Sequence, residues 1–417
     1  MLLTTPTTYR ASAFMSAAEG LGLDVVQALD LPEQLAEYWR VPLGVPFNDP
    51  ERAVEAVVEY AGREPVLTIL SLDDGAALIA AEASARLGLP HNSPDSALAA
   101  RDKGVMRDRL REGGAPVPVF RRYSLSSDPG EIAREVGYPC VLKPLRLSGS
   151  RGVMRADDPE QLIVAFQRLG KLLLEDGAAP DSTDVLVEDF IPGVEVALEG
   201  LLTGGSLQVL ALFDKPDPLD GPYFEETIYV TPSRLPEDVQ ASVASCTALA
   251  ASALGLREGP VHAELRVNDA GPWIVEIAGR SIGGLCSTVL RFGAGMCLEE
   301  LILRHAVGLP VLDAERERAA AGVMMIPIPA AGMLTGVEGV EGAREVEGIV
   351  DVQITARLHR PLVPLPEGAS YLGFIFARAD GPATVEAALR RAHSLLRFEI
   401  RPHITLRETK TLNSRLG

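Results

Sequence analysis

Between Lys143 and Arg155 the chain places four cationic residues, Lys143, Arg146, Arg151 and Arg155, and no acidic one, although its net charge is −18. The enclosed loop Ser148-Gly149-Ser150-Arg151-Gly152 offers backbone N–H groups and hydroxyls without bulk, which suits close approach to phosphate. A Gly/Ser loop by itself is equally a plain hairpin turn. The apolar strand Tyr138 to Pro144, ending in Lys143, tips the reading toward an anion site. A second constellation is built of carboxylates. His262 to Val267 and Trp273 to Ile277 read as two strands joined by Asn268-Asp269-Ala270-Gly271, a hairpin signal. Alternation allows Glu264 and Glu276 to lie on one face of adjacent strands, where two carboxylates repel unless a cation lies between them. Hard oxygen ligands of this kind suit magnesium carrying nucleotide phosphates. The plainer alternative is two unrelated glutamates on a solvated hairpin face. Arg280 follows Glu276 by four positions and is either a donor to a carboxylate or developing oxyanion, or the salt-bridge partner of Glu276.

Composition narrows the partners. The chain has 417 residues, enough for two or three domains, with 47% hydrophobic and 23% charged residues, as in folded globular proteins. The acidic balance opposes binding to a nucleic-acid backbone. No apolar stretch reaches the length of about 20 residues that spans a bilayer, and Met1 to Arg10 lacks a basic start and an apolar signal core, so we expect a cytoplasmic protein with no membrane partner. Cys140, Cys246, Cys286 and Cys297 show neither CxxC pairing nor zinc spacing and are expected to be buried, reduced thiols. Only five lysines (Lys103, Lys143, Lys171, Lys215 and Lys410) stand against 34 arginines, so each lysine invites a specific reason.

The elements that must position these groups follow from periodicity. Residues 1–92 alternate strands and helices, with Val66 to Leu70 suited to a buried parallel strand and Asp74 to Leu87 to a helix. The pattern is that of a Rossmann-like α/β domain, and the absence of GxGxxG after a strand argues against a dinucleotide site. Ser93-Pro94 starts a helical run through Asp102-Lys103 to Leu110, ended by Gly113-Gly114. About 120–195 reads as a small α+β lid, with Val185 to Glu188 as its second strand. About 196–310 alternates strands with a long helix from Pro236 to Leu254. The tail, 311–417, carries a strand at Phe374 to Ala377 and a helix from Thr384 to Leu396 with Thr384 as its cap. We take it as a packing subdomain that completes the domain spanning 93–310.

The ordered set Asp102-Lys103, Val141 to Pro144, the loop to Gly152, Val187 to Glu195, His262-Ala263-Glu264 and Glu276 to Arg280 resembles the ATP-grasp superfamily. Within it the chain is similar to carboxylate–amine ligases related to bacterial L-amino acid (dipeptide) ligases, over nearly its whole length. The resemblance implies an ATP-grasp fold of mixed α/β and α+β class, with an N-terminal Rossmann-like domain, a lid and a C-terminal packing subdomain. It implies that Lys103 and Lys143 bind ATP phosphates and that Ser148, Gly149, Ser150 and Gly152 fold over them. The backbone of Glu188, Asp189, Phe190 and Ile191 would read adenine, and Glu195 would hold the ribose hydroxyls. Glu264 and Glu276 would ligate magnesium, or manganese in its place, and Arg280 would stabilise the transferred phosphoryl group and the tetrahedral intermediate, helped by backbone N–H groups near Gly283 and Gly284. Many members have Asn two residues after the second metal glutamate; here it is Ala278. Glu225 or Glu226 would pair with a substrate ammonium, a solvated loop being the alternative. The expected partners are a small carboxylate and an amine, both amino acids in this reading, and the assembly allows a homodimer. Two rivals keep the nucleotide site: a bicarbonate-using carboxylase-like enzyme, and a nucleotide-binding regulatory protein without turnover.

Overall fold

The computed structural model describes residues 1–402 apart from Thr7 and Leu312; Lys410 lies outside the described residues. The N-terminal unit is a parallel four-stranded sheet in the order Leu43–Gly44, Gln27–Leu29, Leu2–Thr4, Leu70–Ser71. Leu3, Val54, Val57, Ile79 and Ala83 form its core, drawn from a strand and the helices Pro50–Arg63 and Ala77–Leu87. The expected strand Val66 to Leu70 is shorter and later than its apolar run suggests, since Leu67 is 69% exposed. Its partner strand begins at Leu2, so pairing starts only where Leu70 donates to the Met1 carbonyl at 3.0 Å.

The expected single helix after Ser93 is two, Pro94–Arg101 and Lys103–Glu112. Asp102 takes an extended conformation (φ −97°, ψ 110°) and its carboxylate accepts from the N–H groups of Gly104 and Val105. Asx side chains favour such caps over helix interiors, because they satisfy amide donors the first turn leaves open. The break makes Lys103 the first residue of a new helix and turns it toward the cleft described below.

The lid is an antiparallel sheet in the order Phe120–Ser124, Asp184–Asp189, Cys140–Pro144, Met154–Ala156. Cys140 and Leu142 pack with Phe166 and Leu169 of the helix Pro159–Glu175, so period-two alternation sends Val141 and Lys143 to the opposite, cleft-facing side. The large sheet has eight antiparallel strands, and the tail contributes three of them: Ala320–Ile326, Gly373–Ala379 and Ile349–Ile354. One face of its first strands buries Val261, Ala263, Leu265, Ile274 and Ile277 against the helix Glu237–Leu254. The other face carries the polar groups of the cleft. The final helix is Pro382–Leu395, capped by Gly381 rather than by Thr384; proline at its first position is pre-set for the helical φ. The four cysteines are free thiols, with Cys297 only half-buried because its sulfur caps the helix Leu298–Ala306.

Candidate active site

The hairpin Gly259–Asn268 and Gly271–Ala278 places Glu264 directly opposite Glu276. A regular ladder would not do this. The turn pairs Asn268 with Gly271 and Leu265 with Ile274, a register that would set Glu264 against Val275 and send Glu276 to the helix-covered face. A bulge between Glu264 and Leu265 leaves Val275 as the extra residue and restores Glu276 to the cleft side. The Val275 carbonyl is not orphaned, because Arg107 Nη2 donates to it at 2.8 Å.

One narrow cleft between lid and sheet is lined by Lys103, Lys143, Ser148, Ser150, Glu188, Asp189, Phe190, Ile191, Glu195, Glu226, Glu264 and Glu276. Gly149 and Gly152 form the turn of its Gly/Ser loop. Gly149, Ser150 and Gly152 all have positive φ, and a Cβ at Gly152 would lie 2.9 Å from Leu169.

The lid wall is cationic. Glu188 is buried and accepts from Arg107 Nε at 2.8 Å and Nη2 at 3.1 Å, while Lys143 also pairs with it. Burial alone would raise the Glu188 carboxyl, but Arg107 and Lys143 hold it down to about 2. Burial pushes the Lys143 ammonium below its ordinary value; Glu188 opposes this and Arg107 adds to it. Two buried cations thus share one carboxylate, and Arg107 Nη1 has no partner among the described residues. This is an arrangement that an anion would complete. Lys103 extends it, donating to the Leu147 carbonyl at 2.8 Å and reaching Glu276 at 3.2 Å.

The sheet wall is anionic. Lys215 contacts Glu195 at 2.9 Å, Glu226 and, at 3.5 Å, Glu264; Arg266 Nε donates to Glu195 at 2.9 Å. Burial disfavours charge on Lys215, yet the three carboxylates raise it well above its ordinary value. Burial opposes ionisation of Glu264 as well, but Lys215 and His262 hold it below the usual carboxylate range. His262 spans Glu199 and, at 3.3 Å, Glu264; despite burial these carboxylates raise it to about 9, so it carries charge at neutral pH. Oxygens of Glu195, Glu226 and Glu264 all lie within 4.8 Å of one another. Lys215 contacts all three, so a divalent ion would have to share Glu264 with it and could take the facing Glu276 as a second oxygen donor. Its donor set, hard oxygens already drawn to two lysine ammoniums, fits magnesium.

Several expectations change. Arg280 does not pair with Glu276; it forms a two-point pair with Asp74 of the N-terminal unit (2.5 and 2.9 Å), which crosses between domains and leaves Glu276 to Lys103. Glu226 Oε1 accepts from Lys215 and from the Tyr229 hydroxyl at 2.6 Å. Burial raises Glu225, its half-buried neighbour. Glu195 is held between Lys215 and Arg266. In the hinge, the Asp189 and Phe190 N–H groups donate to Val119 and Pro139 carbonyls and the Ile191 carbonyl accepts from Arg266, so three backbone groups are satisfied internally. Phe190 stacks near Phe224, with Arg155 and Arg266 over its ring. Gly284 has a φ of +60° and a Cβ there would meet Phe374 at 3.2 Å; Gly283 lies beside it in open space. Ala278 faces His262 across the hairpin.

Sequence reasoning missed Arg107, Glu199, His262 and Asp74. The alternations Glu195-Ala197-Glu199 and His262-Ala263-Glu264-Leu265-Arg266 were signals for Glu199 and His262, on matching faces of two adjacent strands. Arg107 and Asp74 carried none, being ordinary helix residues by pattern. A second cavity, of about 820 Å³, lies between the N-terminal unit and the large sheet, lined among others by Arg10, Asp74, Arg280 and Ser281. Among the described residues no helix is long and apolar enough to cross a membrane.

Comparison with known proteins bears on the fold. The ATP-grasp domain profile matches residues 136–289, and that of the L-amino acid ligase C-terminal domain 2 matches residues 324–401. The y4rH protein of Sinorhizobium fredii is 25% identical over 322 residues, covering 77% of this chain and 65% of that protein. Alanine–anticapsin ligase of Bacillus subtilis is 26% identical over 273 residues, covering 61% of this chain and 57% of that enzyme. The chain therefore spans roughly three-fifths of the length of these curated relatives. The crystal structure of L-amino acid ligase from Bacillus licheniformis superposes with a TM-score of 0.78 at 25% identity, covering 96% of this chain and 98% of that one. The fold and the charged cleft define an ATP-grasp protein. More narrowly, the C-terminal residues 324–401 match the L-amino acid ligase C-terminal domain 2, and the whole chain is similar in fold to an L-amino acid ligase.

Proposed function

We propose that the chain is an ADP-forming, ATP-dependent carboxylate–amine ligase that joins amino acids through an acyl phosphate. The observation that carries the reading is the opposition of Glu264 and Glu276 in one cleft with Lys103 and Lys143. The names of the relatives, which act on alanine and anticapsin or on L-amino acids, support amino acids as substrates. In this reading Lys143 and Lys103, with the Ser148 to Gly152 loop, hold the triphosphate, and a substrate carboxylate attacks the γ-phosphate in line. Glu264 and Glu276 would hold magnesium, which when bound neutralises phosphate charge. Arg280, fixed by Asp74 at the edge of the larger cavity, is placed to stabilise the oxyanion as the amine attacks; such a donor is worth about 3 kcal/mol. The cavity has room for the amine substrate. The lid excludes water that would hydrolyse the acyl phosphate.

The test is a phosphate-release screen over pairs of amino acids with mass detection of product. Release with one partner alone identifies the acid, and a new mass with both identifies the ligation. A strict bicarbonate requirement for ADP release, or tight ATP binding with no ADP formed across the panel, would remove the proposal.

A further inference from the structure

The lid makes contacts that phosphate binding does not require. Arg168, on the helix Pro159–Glu175, forms a two-point pair with Glu367: Nε donates to Oε1 at 2.5 Å and Nη2 to Oε2 at 2.8 Å. Its Nη1 meets the Tyr223 hydroxyl, and its guanidinium lies 5.2 Å from that ring's centre. Backbone bonds flank this fork. The Gly152 N–H donates to the Pro366 carbonyl at 2.8 Å, and Arg151 Nε to the Glu367 carbonyl at 2.8 Å. The Arg155 N–H donates to the Pro222 carbonyl at 2.9 Å.

Three segments distant in sequence therefore meet at one guanidinium: the lid, the 363–369 loop of the tail, and the connection 216–227 within the large sheet. That connection also carries Phe224 and Glu226, which line the cleft. The lid cannot swing away unless the fork opens or the connection moves with it. We propose that Arg168 is a positioning residue, whose fork to Glu367 and Tyr223 makes closure of the Gly/Ser loop depend on the seating of residues 216–227. The phosphate loop thereby senses how the cleft beside Phe224 and Glu226 is occupied, and opening of the fork would admit water to an acyl phosphate held there. The fork rests on geometry alone; its consequence for the acyl phosphate rests on the ligase reading.

The experiment uses the full chain with magnesium and fluorescent N-methylanthraniloyl-ADP, whose dissociation is followed by stopped flow. A half-exposed ion pair is worth little energy by itself, so Arg168→Ala should speed release by roughly three- to tenfold. Arg168→Lys should recover part of this, and the exchange of Arg168→Glu with Glu367→Arg more. In a second arm, ATP and an equimolar mixture of the twenty protein L-amino acids are supplied, and phosphate is counted per dipeptide. The ratio should stay at about one for the native chain and rise several-fold in Arg168→Ala, with Tyr223→Phe between them. Unchanged nucleotide release in Arg168→Ala and Glu367→Ala would overturn the proposal. So would a defect that follows melting temperature alone and that neither Arg168→Lys nor the exchange restores. A native chain that forms no dipeptide would remove the ligase reading and leave the nucleotide arm to decide the fork.

Discussion

The two walls of the cleft are built on opposite principles. On the lid side two cations, Lys143 and Arg107, pair with the one carboxylate of Glu188, and Lys103 lies beside them. On the sheet side three carboxylates, Glu195, Glu226 and Glu264, gather about Lys215, with Arg266 on Glu195, and a fourth, Glu276, reaches across to Lys103. Neither wall is neutral, and burial makes an unbalanced charge costly on both. The contrast teaches that the cleft would be completed by two things of opposite sign, an anion against the lid and a cation against the sheet, as the proposed magnesium-bound triphosphate would supply.

Removing both carboxylates of the hairpin breaks the comparison most severely. Glu264→Ala with Glu276→Ala should lower the rate of ADP formation by roughly a thousandfold or more, measured by phosphate release at saturating ATP. Turnover near the native rate would contradict the cation half. Next comes the lone carboxylate of the lid wall. Glu188→Ala leaves two buried cations without their partner and should cost about 3–5 kcal/mol in urea unfolding. The same group sets a pH window. Its folded value, about 2, lies below the ordinary 4.5, so its contribution is complete above 4.5 and is lost as pH falls toward 2. That contribution is about 3 kcal/mol. In Glu188→Gln the stability curve should be flatter across that window, and an unchanged acid limb would refute the assignment.

Lys143→Met sharpens the contrast, because it removes one of two cations crowding the same carboxylate. Stability should change by less than about 1 kcal/mol, whereas KM for ATP should rise by roughly ten- to a hundredfold. A large stability loss with unaltered KM would make Lys143 a structural partner of Glu188. The smallest effect is expected at the helix break. Asp102→Ala removes a cap worth about 1 kcal/mol and loosens Lys103, which should appear as a modest rise in KM with a matching fall in melting temperature.

Much of the site was legible because charge and alternation are local properties. The cationic run from Lys143 to Arg155 and the hairpin turn at Asn268 to Gly271 were read from residue types alone, whereas Lys103 was singled out only by the family resemblance. The partners were less legible. Nothing near Arg280 in the chain indicates Asp74, 206 positions away, and the nearer Glu276 was a reasonable choice until the domains packed.

The sequence by itself determined the composition of both walls, since a strand of alternating residues commits its polar set to one face. Tertiary structure alone decided where those faces meet. The bulge at Val275 is the clearest instance: local rules place Glu276 on the wrong side, and the extra residue is accommodated with its carbonyl bonded to Arg107 from a distant helix. Pairings between residues far apart in the chain cost loop-closure entropy and are settled only when the core forms, so no window of sequence contains them.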